Sequence, residues 1–391
     1  MTPAARVQAA IEIVDEVIRS AREGAAAADT VVARYFKSRR YAGSKDRRAV
    51  RELVFRAIRA FAEPISGRAA LLGLAAEEPA LRASFDGSTH GPRLIEPDEP
   101  AAEPLAVPLW LRPRLDPLIS EEEIPALLER APLDLRVNRL RGPLDSALEA
   151  FPQAAPTPHS PIGLRLPEGS NVIQSQAWLG GLIEVQDEGS QLLCLGSEAK
   201  AGMLVIDLCA GAGGKTLALA AEMGNEGRIL ATDTDRARLA RIRPRLERAG
   251  VTIAETRLLD PGRESEALAD VAGFADLVFV DAPCSGTGTW RRNPETRWRI
   301  TPERLERLVS LQARLLDLAA GLLRPGGRLV YAVCSLLAEE GREQADAFER
   351  RSSLVPESLP MTAGRVAGSG LLLSPARDGT DGFFVARWRR P

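Results

Sequence analysis

Two cysteines and one glycine-rich loop hold most of the chemistry this sequence could perform. Leu277-Val278-Phe279-Val280-Asp281-Ala282-Pro283-Cys284-Ser285-Gly286-Thr287-Gly288 reads as a buried strand ending in an acid, a Pro-Cys pair and a glycine-rich turn. Tyr331-Ala332-Val333-Cys334-Ser335 ends another strand in a second thiol. Taken singly, each cysteine reads as a small buried core residue. Two of them at strand ends, beside a carboxylate, point to covalent catalysis by a thiolate ionised from a free pKa of about 8.5.

The loop Asp207-Leu208-Cys209-Ala210-Gly211-Ala212-Gly213-Gly214-Lys215-Thr216 follows an apolar strand and opens a helix. Small residues let a backbone approach a ligand closely, and a helix N-terminus favours negative charge. The closing Gly-Lys-Thr is not a phosphate loop, because that motif needs a glycine where Cys209 stands. Gly211 and Gly213 supply the first pair of a dinucleotide fingerprint, but Thr216 occupies the third glycine position. The loop therefore predicts a nucleoside-containing ligand. Asp233 ends the next strand, where an acid can accept hydrogen bonds from ribose hydroxyls. The competing role of helix cap falls to Asp235.

Other chemistries are excluded by scarcity. The only histidines, His90 and His159, lie in Pro/Gly-rich stretches, against a histidine triad or a multi-histidine zinc site. Cys194, Cys209, Cys284 and Cys334 show no C-x-x-C spacing, so free thiols and no metal are expected. No apolar run approaches the roughly 20 residues of a membrane span, and Met1–Arg6 lacks the apolar core of a secretory signal. A soluble cytoplasmic monomer is expected.

These residues need elements to position them. From about residue 187, strand candidates Met203–Leu208, Arg228–Thr232, Leu277–Asp281 and Arg328–Val333 alternate with helices at Lys215–Met223, Asp235–Ala249 and Pro302–Leu323, and Gly382–Trp388 closes the chain. That alternation implies an α/β fold whose parallel sheet binds ligands at its carboxyl edge. Upstream, Leu133–Asn138, Gly163–Leu166 and Gly181–Gln186 read as strands and Pro143–Phe151 as a short helix. Asp86–Pro108 reads as a loop. At the N-terminus, Val7, Ile11, Val14 and Ile18 mark one helix, and a second runs from Asp46 to Phe61.

The 391 residues suit two or three domains, with 45% hydrophobic and 27% charged residues and a net charge of −2. The charge is unevenly spread: residues 1–61 hold 13 Lys/Arg against 7 Asp/Glu, and residues 62–135 hold 6 against 14. A basic end suits an anionic polymer. Arg34-Tyr35-Phe36-Lys37-Ser38-Arg39-Arg40-Tyr41 interleaves bases with aromatics, and reads either as a nucleic-acid surface or as a solvated face over two buried rings. Trp290–Arg299, with four arginines and two tryptophans, reads either as a single-stranded RNA path or as a loop pinned by buried tryptophans.

Together, Asp281–Gly288 with Arg291-Arg292-Asn293-Pro294-Glu295, and Cys334-Ser335 with Glu339-Glu340, resemble the RNA 5-methylcytosine methyltransferases, in particular the bacterial RsmB (Sun/Fmu) ribosomal RNA type. Lys45-Asp46-Arg47-Arg48 with Glu52-Leu53-Val54-Phe55 resembles an all-helical NusB-like RNA-binding domain. Leu133–Asn138 and Glu184–Gln191 resemble the small α+β domain before the catalytic one. The resemblance implies a NusB-like domain at 1–125, a small linking domain at 126–186 and a class I Rossmann-like methyltransferase domain at 187–391. It implies S-adenosylmethionine as cofactor and RNA, in the first place small-subunit ribosomal RNA, as partner.

By the same resemblance Cys334 attacks carbon 6 of a cytosine, Cys284 releases the methylated RNA, Asp281 bonds the base or cofactor, and Lys215 positions the base. Cys209, Ala210, Gly211, Ala212, Gly213, Gly214, Lys215, Asp233, Asp260 and Asp281 would line the cofactor. The family loop usually reads Cys-Ala-Ala-Pro-Gly-Gly-Lys; Gly211 and Ala212 here replace Ala-Pro, which should loosen it. Leu259-Asp260-Pro261 replaces the usual Gly-Asp-Ala. The alternatives are a DNA cytosine-5 methyltransferase, in which the Pro-Cys thiol attacks, and a catalytically silent RNA-binding ribosome-assembly factor.

Overall fold

The stripe Val7, Ile11, Val14 and Ile18 lies buried on helix α1 (Pro3–Arg22) of the computed structural model, which describes residues 1–391. The Thr2 hydroxyl accepts from the Ala5 N–H, and Pro3 opens the helix where its missing N–H costs nothing. Helices α2 (Ala28–Lys37), α3 (Ser44–Ala60) and α4 (Gly67–Ala75) close around a core that includes Val31, Val54, Ile58 and Leu71. A Cβ at Gly67 would stand 2.2 Å from the Ile11 carbonyl oxygen, so the approach of α4 to α1 requires glycine. This all-helical region fits a NusB-like domain.

By packing, the chain forms two units. One gathers residues 1–115, 121–129 and 289–302; the other gathers 116–120, 130–288 and 303–391. The helical unit is thus completed by a distant segment. Within it Trp290 is fully buried and Arg297 is 1% exposed. The Arg297 guanidinium donates to the carbonyls of Ile58, Ala106 and, at 3.2 Å, Arg59, while its Nε donates to Pro294 O at 3.1 Å. Trp298 Nε1 donates to Phe61 O at 3.0 Å. The reading of Trp290–Arg299 as an RNA path is therefore corrected: Trp290 and Arg297 are consumed by the protein's own interior, as the pinned-loop alternative expects.

In the second unit, β1 (Leu133–Val137), β2 (Ala155–Pro156), β3 (Gly163–Leu166) and β4 (Ile183–Val185) form an antiparallel sheet in the order β2-β3-β1-β4. It has its own apolar cluster, with Leu135, Val137, Leu164 and Ile183 at the centre. The chain continues through α5 (Glu188–Gly196), whose cap Asp187 accepts from Gly189 N.

The larger sheet comprises β5 (Leu204–Asp207), β6 (Arg228–Asp233), β7 (Ala254–Leu258), β8 (Ala275–Asp281), β9 (Leu323–Val333), β10 (Val355–Pro356), β11 (Arg365–Ala367), β12 (Gly370–Leu373) and β13 (Phe383–Arg389). Its order is β11-β12-β13-β9-β8-β5-β6-β7, with β10 beside β13. Strands β5 to β9 run parallel, and β10 to β13 pair antiparallel. Helices α6 (Gly214–Glu222), α7 (Ile242–Ala249) and α8 (Pro302–Leu322) belong to this unit up to the 302/303 boundary. This is the class I Rossmann-like methyltransferase sheet. The strand order reverses between β5 and β8, the switch point where such sheets bind ligands. The helix expected over Asp235–Ala249 is broken into Arg236–Leu239 and α7. Pro244 has no N–H for the carbonyl of Ala240, and its ring clashes there.

Candidate active site

The loop after β5 is shaped by its glycines. Gly211 (φ +57°) and Gly213 (φ +84°) adopt left-handed backbone, and Gly213 caps α6. A Cβ at Gly214 would meet nothing within 4 Å, so open space lies before the helix N-terminus. The loss of the family proline does not leave the loop slack. Gly213 N donates to Ala210 O at 2.8 Å, Gly211 N to Asp233 Oδ2 at 2.8 Å, and Arg245 Nη1 to Ala212 O at 2.6 Å. Arg245 also pairs with Glu184 of β4 at 3.0 Å, a carboxylate that Arg248 shares, so the small sheet braces the loop. Arg245 escapes sequence reasoning, and its partner Glu184 was quoted only as part of a motif. The available signal is a glutamate buried within an otherwise apolar strand.

Asp233 is nearly buried at the end of β6. Besides Gly211 N, it accepts from Asp235 N at 2.7 Å through Oδ1, so it ties the loop after β5 to the start of the next helix. Asp235 is the cap, its Oδ1 accepting from Ala237 N and Arg238 N. Asp260 stands exposed beyond β7, its backbone carbonyl taking Arg263 N. Asp207 is fully buried, with Thr216 donating to Oδ2 at 2.6 Å and Oδ1 left without a partner. Burial pushes this carboxyl up to about 7, with the Thr216 bond opposing and the charge of Asp281 adding to the rise. The cradle of small residues, the open space at Gly214 and the orphaned Asp207 oxygen fit a nucleoside cofactor.

On the β8 side, Lys215 Nζ meets Asp281 Oδ2 at 2.6 Å. Burial works against the ammonium, but the adjacent Asp281 carboxylate outweighs it and holds Lys215 above its ordinary value. The pair spans the switch point, from α6 to the end of β8. Just beyond, Cys284 Sγ and Cys334 Sγ are 3.3 Å apart, both half-buried. The contact with Cys334, burial and the nearby Glu340 charge raise Cys284 well above the ordinary thiol value. Cys209, in the loop, is raised by burial and by Asp207. Cys194 is buried in the core and pushed up to about 12; neither suits a nucleophile.

Ser285 and Ser335, the residues after the two cysteines, both reach the carboxylate of Glu340. Sequence reasoning quoted Glu340 only as part of a motif. What the arrangement offers chemically is two adjacent thiols, an ion pair and a nucleoside cradle along one sheet edge.

Residues 195–389 match the family described as 16S rRNA methyltransferase RsmB/F. Ribosomal RNA small subunit methyltransferase B of Klebsiella pneumoniae subsp. pneumoniae is 35% identical over 287 residues, covering 72% of this chain and 65% of the relative. The protein of the same name from Sodalis glossinidius is 36% identical over the same shares. The chain thus spans about 65% of the length of these curated relatives. Among solved structures, a methyltransferase homolog protein from Pyrococcus horikoshii is 28% identical with a TM-score of 0.61, over 69% of this chain and 90% of that one. The crystal structure of PH0851 covers 100% of this chain and 99% of its own, with a TM-score of 0.78 at 23% identity, a likeness of fold. NSun6 from Pyrococcus horikoshii, solved with SFG, shares the fold at a TM-score of 0.66 and 21% identity, over 73% of this chain and 98% of that one.

Proposed function

We propose, from the match of residues 195–389 to the 16S rRNA methyltransferase RsmB/F family and the similarity to ribosomal RNA small subunit methyltransferase B of other bacteria, that the chain methylates carbon 5 of a cytosine in small-subunit ribosomal RNA through a covalent Cys–cytosine adduct. The observation that carries this reading is the pair of thiols, Cys284 and Cys334, 3.3 Å apart at the carboxyl edge of the sheet. Carbon 5 of cytosine is a poor nucleophile within its aromatic ring. When the Cys334 thiolate adds to carbon 6, a C–S bond forms, the aromaticity is lost and carbon 5 becomes enamine-like. Carbon 5 then takes the methyl group, its hydrogen leaves as a proton to a base, and the C–S bond breaks to restore the aromatic ring and free the Cys334 thiolate; Cys284, 3.3 Å from Cys334, serves this release.

S-adenosylmethionine, when bound, supplies an electrophilic methyl on a sulfonium. Cys209, Ala210, Gly211, Ala212, Gly213 and Gly214 would hold it along the loop backbone, with Asp233, Asp260 and Asp281 as acceptors. Lys215 and Asp281, held together, orient the base. The target cytosine must leave any stack to reach such a pocket. In this reading residues 1–125 contribute RNA affinity, 126–186 link and 187–391 catalyse, and the protein acts as a monomer in the cytoplasm.

The test separates the thiols. Cys334→Ala abolishes methyl transfer and forms no covalent RNA complex. Cys284→Ala still attacks, then stalls as a protein–RNA species that survives denaturing electrophoresis and disappears with ribonuclease. A stalled adduct from Cys334→Ala and none from Cys284→Ala reverses the assignment. Full activity in both variants refutes the thiol mechanism.

A further inference from the structure

Each of the two cysteines is followed by a serine, and one carboxylate receives both. Glu340 is fully buried. Its Oε1 accepts from Ser285 N at 2.8 Å and from Gln312 Nε2 at 2.9 Å. Its Oε2 accepts from Ser335 Oγ at 2.6 Å and from Ser285 Oγ. Gln312, on α8, also donates to Pro283 O at 2.9 Å, directly before Cys284. The Tyr331 hydroxyl donates to Glu340 O at 2.7 Å, which fixes the backbone that presents the carboxylate. Thr287 Oγ1 lies 3.1 Å from Ser335 Oγ and accepts from Leu336 N at 2.8 Å, and Gly288 N donates to Cys334 O at 3.1 Å. The two thiol-bearing loops are thus stitched together on both sides of the cysteines, with Glu340 as the node.

A buried carboxylate is costly in fold stability unless donors fill its lone pairs, and an apolar side chain of the same volume would avoid the cost. Here four neutral donors fill it, and three of them come from residues adjacent to a cysteine. We propose that Glu340 is a positioning residue: by fastening Ser285 and Ser335 to one carboxylate, it fixes the spacing of the Cys284 and Cys334 thiols. The proposal rests on the reading that both thiols act on the RNA. It gives that reading a physical requirement, because covalent attack and release occur on the same base and tolerate little relative movement of the two sulfurs.

Glu340→Gln keeps the shape but turns an NH2 group toward the donors that an oxygen now receives. Two readings are taken on the full-length protein. In the first, steady-state methyl transfer, kcat falls about a hundredfold, the scale set by a misplacement near 1 Å, while KM for S-adenosylmethionine stays unchanged. The second uses phenylarsine oxide, whose arsenic takes both sulfurs of a close dithiol and releases one water. Wild type binds it across Cys284 and Cys334, and Glu340→Gln binds it about tenfold more weakly, as a lost preorganised geometry demands. If Glu340→Gln does not fold, Ser335→Ala, which removes one donor and no charge, carries the same two readings. Unchanged phenylarsine oxide affinity in a folded variant overturns the proposal, as does an unchanged kcat. Phenylarsine oxide reads the spacing without RNA. Failure of the thiol mechanism shows separately, as methyl transfer retained by Cys334→Ala.

Discussion

Replacing Asp207 with Asn should stabilise this protein, and by an amount that depends on pH. The carboxyl is fully buried, makes one hydrogen bond, from Thr216, and leaves Oδ1 without a partner. Burial raises it from 3.8 to about 7. Below about pH 4 both the folded and the unfolded chain carry the proton, so the group does not alter stability with pH. Between roughly pH 4 and 7 the folded chain keeps the proton and the unfolded chain has lost it, so stability falls as pH rises. Above about 7 both are ionised and the loss is complete. At 1.36 kcal/mol per pH unit over roughly 3 units, the total is about 4 kcal/mol. Asn keeps the volume and an acceptor for Thr216 but cannot ionise. In urea denaturation without cofactor, Asp207→Asn should exceed wild type by about 4 kcal/mol at pH 8, with less than half of that difference left by pH 5. Subtracting the two proteins removes the titration of every other carboxylate they share. A difference that is constant from pH 5 to 8, or an Asn variant that loses ground as pH rises, would refute the assignment of burial as the cause.

Asp233→Ala frees Gly211 N and Asp235 N at once, and affinity for S-adenosylhomocysteine should weaken about tenfold or more, at 1–3 kcal/mol for a lost acceptor; calorimetry on the folded variant checks it, and equal affinity counts against the loop assignment. Arg297→Ala leaves buried carbonyls of Ile58, Arg59 and Ala106 without their donor, so the full-length protein should lose about 3–5 kcal/mol. Urea titration followed by tryptophan fluorescence measures it. A loss below about 1 kcal/mol would return Arg297 to the class of surface side chains.

The sheet was legible because its strands are runs of apolar residues that end abruptly in Asp207, Asp233, Asp281 and Cys334, a pattern set by local burial. The N-terminal helices announced themselves by period, and the cap role of Asp235 by its place. Legibility failed where long-range packing decides. Arginines and tryptophans at 290–299 have the composition of a nucleic-acid surface, and only tertiary placement reveals that Arg297 caps carbonyls some 190 residues upstream, near Ala106. The stretch Arg34–Tyr41 divides similarly: Phe36 is buried, Tyr35 donates to Glu12 with Arg39 stacked on its ring, and Tyr41 stands exposed. The pairing of Lys215 with Asp281, the brace of Arg245 on Glu184, and the node at Glu340 are contacts between elements. No spacing in the chain encodes them.

The discontinuous make-up of the helical unit has a consequence for how the protein is made. Residues 1–115 emerge first, but the unit closes only when 289–302 arrive. At about 5–20 residues per second, the 173 intervening residues, 116–288, impose a delay of roughly 9–35 s. During that interval the carbonyls of Ile58, Phe61 and Ala106 remain with water, and the apolar surface awaiting Trp290 and Trp298 stays open to chaperones. The nascent chain must hold its first helices unfinished until the segment 289–302, which follows the Cys284 loop, has been synthesised. A product that terminates early, before residue 289, lacks Trp290, Arg297 and Trp298 and therefore carries an incomplete helical unit.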